Sequence, residues 1–118
     1  MASQLVSDDS LARRLGAMAF GERRALLDRL LIAHNCNEPD QTITSLATAT
    51  GTNRFTASRH LAVLREAGLV TVDIVGTRRL HRIDLEGVAS IDDWLYPFID
   101  AYQAAFSRDS GPGAIQIV

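Results

Sequence analysis

Lysine is missing from this sequence: all 12 residues in its lysine-plus-arginine count are arginine. Arginine offers a planar fork that fits phosphates and guanine edges, although a codon bias is the plainer account of such a composition. A single cysteine, Cys36, rules out a disulfide within the chain and suits a reducing compartment. No apolar run approaches the roughly 20 residues that cross a bilayer, so no membrane partner is expected. Residues 1–10 lack the basic segment and apolar stretch of a signal peptide, and the cytoplasm is the expected location. There is no glycine-rich phosphate loop, and Cys36 has no base partner set by spacing. His34, His60 and His81 fall into neither a metalloprotease nor a nucleophile arrangement, so no enzyme chemistry is expected.

What is present suffices for one small domain. The chain has 118 residues, 47% of them hydrophobic, which argues against global disorder. A domain of this size buries a modest share of its surface, and pairing with a second copy would add burial. The net charge is −2, but it is unevenly spread. Between Thr52 and Arg82 stand six arginines (54, 59, 65, 78, 79 and 82) against Glu66 and Asp73, a local excess of four positive charges on an otherwise acidic chain.

Apolar spacing lays out the elements. Residues 1–9 read as a flexible arm, with Ser10 capping a first helix that carries Leu11, Leu15 and Met18. A second helix starts at Gly21 or Glu22, presents Leu26, Leu27, Leu30 and Leu31, and ends in the polar stretch His34 to Asp40 before Pro39. Thr42 or Thr44 caps a short third helix with Ile43, Leu46 and Ala47. After the turn Thr50-Gly51-Thr52-Asn53, a fourth helix runs from Asn53 or Arg54 to Ala67, with Ala57, Leu61 and Leu64 inward and Gly68 closing it. From Val70 the period falls to two, which predicts a β-hairpin turning at Val75-Gly76-Thr77-Arg78-Arg79. Leu85 to Ala89 reads as a link, and Ser90 as the cap of a last helix through Phe106. There Asp92 and Asp93 would complement the helix start, and Pro97 implies a kink or a later start. Residues 108–118 read as a flexible tail.

Helix, short turn, helix, hairpin is the order of a winged helix-turn-helix. The predicted fold is therefore mainly α with a small β-hairpin, α-α-α-α-β-β-α, with residues 10–107 as the DNA-binding and dimerisation domain. The fourth helix fits a major groove, and its first residues, Asn53 to His60, are mostly polar or charged. The hairpin tip Thr77-Arg78-Arg79 offers two guanidiniums to phosphates or a minor groove. The candidate partner is double-stranded DNA. The rival reading is a winged-helix module that binds protein without reading DNA, for which Arg54, Arg59, Arg78 and Arg79 would have no evident use.

The run Ser58-Arg59-His60-Leu61-Ala62-Val63-Leu64-Arg65-Glu66-Ala67-Gly68-Leu69-Val70 resembles the signature of the ArsR-type winged-helix regulators. So does Leu15-Gly16-Ala17-Met18-Ala19-Phe20-Gly21-Glu22-Arg23-Arg24, although the family more often has Asp-Pro-Thr near Gly21-Glu22. The stretch Gly76-Thr77-Arg78-Arg79-Leu80-His81-Arg82-Ile83 is similar to the family's wing, which usually has an aromatic at position 80 or 81. The resemblance covers about residues 10 to 107. It implies a dimeric transcriptional regulator, most often a repressor that an effector releases, acting on an operator that is an inverted repeat. Carried over by motif, the DNA contacts would be Asn53, Arg54, Thr56, Ser58, Arg59 and His60, joined by Thr77, Arg78 and Arg79 of the wing.

Two metal sites known in the family do not carry over. Where one has Cys-Val-Cys before Asp-Leu-Ala, this chain has Thr42-Ile43-Thr44 before Ser45-Leu46-Ala47. The other needs histidine on the last helix, and residues 91–108 contain none. His34 and Cys36, with Glu38 and Asp40 nearby, leave a weak transition-metal candidate for which a solvated loop is the plainer reading. No cofactor is evident, and the effector stays open among an ion, a small molecule and a partner protein. Finally, Trp94, Leu95, Phe98, Ile99, Tyr102 and Phe106 exceed what one helix needs for its own core. With Leu11 and Leu15 they are the expected seam of a homodimer.

Overall fold

Leucine builds the centre of the molecule. Leu26, Leu30, Leu46, Leu61, Leu64 and Leu69, with Val70, are almost wholly buried and come from three successive helices and the turn and strand that follow. The computed structural model describes the backbone of residues 2–109 and the side chains of residues 9–107. The order is α1 (Ala2–Ala17), α2 (Gly21–Asn35), α3 (Ile43–Thr50), α4 (Arg54–Glu66), β1 (Val70–Val75), β2 (Arg78–Ile83) and α5 (Leu85–Asp109). This is the winged helix-turn-helix order expected from the sequence. The expected tail lies almost entirely outside the described residues, α5 itself running to Asp109.

Local chemistry fixes the helix-turn-helix. Thr42 caps α3, its hydroxyl oxygen accepting from the Ser45 amide at 3.1 Å, and Gly51 ends that helix in the left-handed region. Asn53 caps α4 in the same way, accepting from the Thr56 amide at 2.8 Å. Each cap satisfies an amide with no partner within its helix and contributes about 1 kcal/mol. Gly68 follows α4 with φ +81, a conformation that costs a glycine little and turns Leu69 and Val70 back into the core.

The hairpin pairs Val70 with Ile83 through to Val75 with Arg78, leaving Gly76-Thr77 at the tip. Burial fades along β1 from Val70 to the exposed Ile74 and Val75, so the wing projects from the body. One connection was not legible in the sequence. Gln41 and His81 exchange main-chain hydrogen bonds of 3.0 and 2.7 Å, which pins the approach to α3 against β2. His81 is thereby 5% exposed. Its ring Nδ1 lies 3.2 Å from the Gln41 carbonyl, so it packs against the approach to α3.

Both ends of the helical frame differ from expectation. Backbone over residues 2–9, expected as an irregular arm, belongs to α1, and Ser10 lies inside the helix, not at its cap. Asp9 precedes Arg13 by four residues, a spacing that favours helix across the expected boundary. Likewise, the expected link Leu85 to Ala89 is the first turn of α5. Asp84 caps it by accepting from the Gly87 amide at 3.2 Å. Ser90, expected as the cap, instead donates to the Gly87 carbonyl at 2.7 Å and accepts from Arg14 at 2.6 Å. Arg14 also donates to the Ala67 carbonyl at 2.9 Å, so one side chain joins α1, the end of α4 and α5. Asp92 and Asp93 fall in the second and third turns of α5, beyond the helix start; Glu86 is the acid of the first turn. The helix continues through Pro97 on an exposed stretch, where water can satisfy the carbonyl that Pro97 cannot bond.

Candidate nucleic-acid interface

Helical period sorts the side chains of α4. Ala57, Leu61 and Leu64 are buried against the core, and Phe55 and Arg59 fall on the opposite side, one turn apart. Asn53, Arg54, Ser58 and Arg59 are exposed, whereas Thr56 and His60 are half-buried. His60 Nε2 lies 3.3 Å from a Glu22 carboxylate oxygen, so this candidate contact is already engaged by the start of α2. The side-chain oxygen of Asn53 is similarly occupied by its capping bond.

Thr77, Arg78 and Arg79 are exposed on the wing. The structure brings them to the start of α4: Arg54, Thr77, Arg78 and Arg79 border one open cleft of about 350 Å³ with Thr42, Ile43 and Thr44. Thr42 and Thr44 were absent from the candidate contacts. Their place at the cleft follows from the fold, because α3 packs against both α4 and β2.

The arginines divide by their partners. Arg29 pairs with Glu38 at 2.6 Å, and Arg24 donates to the Met18 carbonyl at 2.7 Å. Arg23 lies 4.1 Å from the centre of the Phe20 ring, and Arg14 makes the junction described above. Arg82, counted within the basic block, is held by Asp73 at 2.8 Å and Asp40 at 3.7 Å. By contrast, the side chains of Arg54, Arg59 and Arg65 on α4, of Arg78 and Arg79 on the wing, and of Arg13 on α1 have no hydrogen-bond or ion-pair partner among the described residues. Four of these cations, Arg54, Arg59, Arg78 and Arg79, lie on the first half of α4 and on the wing, which meet at one cleft, while Arg65 sits in the last turn of α4. The four would attract a polyanion, and the amides at the start of α4 add partial positive charge at the same end.

A second candidate surface is apolar. Trp94, Leu95, Phe98, Ile99 and Tyr102 of α5 and Leu15 of α1 are between 39% and 61% exposed, while Leu11 and Phe106 are half-buried. Trp94 stacks on Phe98 with ring centres 4.9 Å apart, and Tyr102 meets Phe106 edge-on at 5.6 Å. Helix α1 packs beside α5. His34 and Cys36 are both exposed, and among the described residues no three His, Cys, Asp or Glu side chains converge as a metal site would require.

Residues 29–72 match the family model described as bacterial regulatory protein, arsR family. The HTH-type transcriptional regulator Rv0324 of Mycobacterium tuberculosis is 39% identical over 83 residues, covering 70% of this chain and 34% of that protein. Rv2034, a regulator of the same description from that organism, is 37% identical over 75 residues, or 64% of each chain. The chain thus spans about one third and just under two thirds of these two relatives. Among solved structures, the homodimeric winged helix-turn-helix DNA-binding domain of Mb0332 from Mycobacterium bovis, described as a possible ArsR-family transcriptional regulator, superposes with a TM-score of 0.61. It is 34% identical, and the match covers 86% of both chains.

Proposed function

Because this chain belongs to the arsR family of bacterial regulatory proteins, we propose that it is a sequence-specific DNA-binding regulator of transcription, a repressor in the cytoplasm. The observation that carries this reading is the group of four unpartnered arginines shared by the first half of α4 and the wing. In this proposal α4 enters the major groove, where Arg54, Ser58 and Arg59 read base edges. Arg78 and Arg79 hold the backbone or the minor groove, and Thr77 supports them. Asn53, Thr56 and His60 stand beside this set, with Asn53 and His60 already engaged within the fold.

The apolar face of α1 and α5 supports a homodimer. Six large apolar side chains held near half exposure on two packed helices are a poor ending for a small monomer. A two-fold pair would present two α4 helices and two wings to an inverted repeat. The proposed release signal is not a soft metal held before α3. Where metal-sensing members carry thiolates, Thr42 is engaged in capping α3 and Thr44 lines the cleft beside the wing.

The test selects a duplex from a randomised library and compares it with a scrambled duplex by fluorescence anisotropy, with the mass of the complex measured by light scattering. Arg59→Ala should lower the preference for the selected duplex, on the order of tenfold or more, with two protomers bound per site. Equal binding of the intact protein to selected and scrambled duplexes would overturn the reading.

A further inference from the structure

Phe55 is 85% exposed, more than any other large apolar side chain among the described residues. The fold does not use this ring. The start of α4 is capped by Asn53, and its inner side is filled by Ala57, Leu61 and Leu64. Phe55 lies one helical turn before Arg59, on the side of α4 opposite the core, with Arg54 next to it in sequence. A helix seated in a major groove turns this side toward the base edges. Most of what bases display there is polar; the 5-methyl group of thymine is the apolar exception, and a phenylalanine side chain complements it. An apolar pocket on a protein would have to strip water from Arg54 and Arg59 beside the ring, whereas a DNA groove supplies phosphates to both.

We infer that Phe55 is a specificity-determining residue that packs on the 5-methyl group of a thymine in each half-site. This rests on the DNA-reading function proposed above and deepens it by naming a base.

The experiment uses the full chain and the duplex selected from the randomised library. Each thymine is replaced in turn by deoxyuridine, which removes only the methyl, and binding is measured for the wild type, Phe55→Ala and Phe55→Leu. In the wild type one thymine per half-site should be sensitive, each replacement weakening binding about fourfold, the ratio that one buried methylene carries. Phe55→Ala should bind thymine and deoxyuridine duplexes equally at that position, and Phe55→Leu should keep part of the difference. Unchanged circular-dichroism melting should accompany both variants, because the side chain packs on nothing in the fold. If the wild type prefers the selected duplex yet no thymine is sensitive, or the sensitive thymine stays so in Phe55→Ala, the assignment of Phe55 fails and DNA reading stands. If the wild type shows no preference among duplexes, the parent proposal fails and takes this one with it.

Discussion

Replacing Arg78 and Arg79 together by alanine separates the free cations of this protein from its paired ones. Both side chains are exposed and without a partner on the wing. A dimer would lose four such cations. If each neutralises one phosphate, the slope of log K against log salt should become shallower by about 3.6, at about 0.9 per phosphate contact on B-form DNA. Across a rise from about 50 to about 200 mM salt, that difference amounts to a factor of about 150 in affinity. The variant should therefore bind far more weakly than the wild type at the lower salt and approach it as salt is raised. Arg82→Ala is the control. Its guanidinium is already neutralised by Asp73 at 2.8 Å and lies near Asp40, so its removal should change the slope by much less than one unit per protomer. Anisotropy titrations of one labelled duplex at four or five salt concentrations give all three slopes. Parallel lines for the wild type and the double variant, or an equally large change in Arg82→Ala, would refute the division into free and paired arginines.

Gly87→Ala should destabilise the fold although alanine is the better helix former. The gain in helix propensity is about 1 kcal/mol. An added Cβ at position 87, however, would overlap the Gly68 carbonyl at the α4–β1 junction, and forced overpacking typically costs about 1–3 kcal/mol. A lower urea midpoint with unchanged slope is expected, and a higher one would show that α5 does not pack here. A third expectation concerns pH. Burial, aided by the Arg65 and Arg79 guanidiniums, lowers the pKa of His81 below its ordinary value of 6.5 and outweighs the opposing hydrogen bond to Gln41. As pH falls through 6.5 the unfolded chain takes up the proton first, so stability is lost from there downward until the folded imidazole also titrates. The melting temperature of the wild type should fall more steeply than that of His81→Gln between about pH 7 and about pH 5. Identical pH profiles would remove His81 from the account.

The helix-turn-helix and the hairpin were legible because their signals are local. Thr42 and Asn53 cap the helices they precede, Gly68 ends α4, and the change to a period of two starts at Val70, where β1 begins. The misread boundaries share a physical cause. Two residues near the last helix, Asp84 and Ser90, are good caps, and Gly87 between them reads as a loop residue. Its actual reason lies 19 positions back in sequence, in a close approach to Gly68 that no local rule detects. The Gln41–His81 bridge is invisible for the same reason, since its partners are 40 residues apart. At the other end, Ser10 satisfied the capping rule with no terminus for it to cap.

The candidate site shows what a charge count can and cannot do. Six arginines between Thr52 and Arg82 mark a cationic region, yet the count weighs Arg82 equally with Arg78. Folding makes them unlike. Across the hairpin Thr71 faces Arg82, and Asp73, two positions on along β1, comes within reach of that guanidinium, whereas Arg78 and Arg79 pair with Val75 and Ile74 and meet no acid. The apolar Ile74 and Val75 thus do more than extend a strand. By placing no carboxylate opposite the tip, they leave two cations without a counter-charge where the wing projects furthest. An acid at position 74 or 75 would preserve both the pairing register and the basic residues, while giving Arg79 or Arg78 a partner inside the molecule. The capacity to attract phosphate therefore depends as much on what stands opposite the arginines as on the arginines themselves.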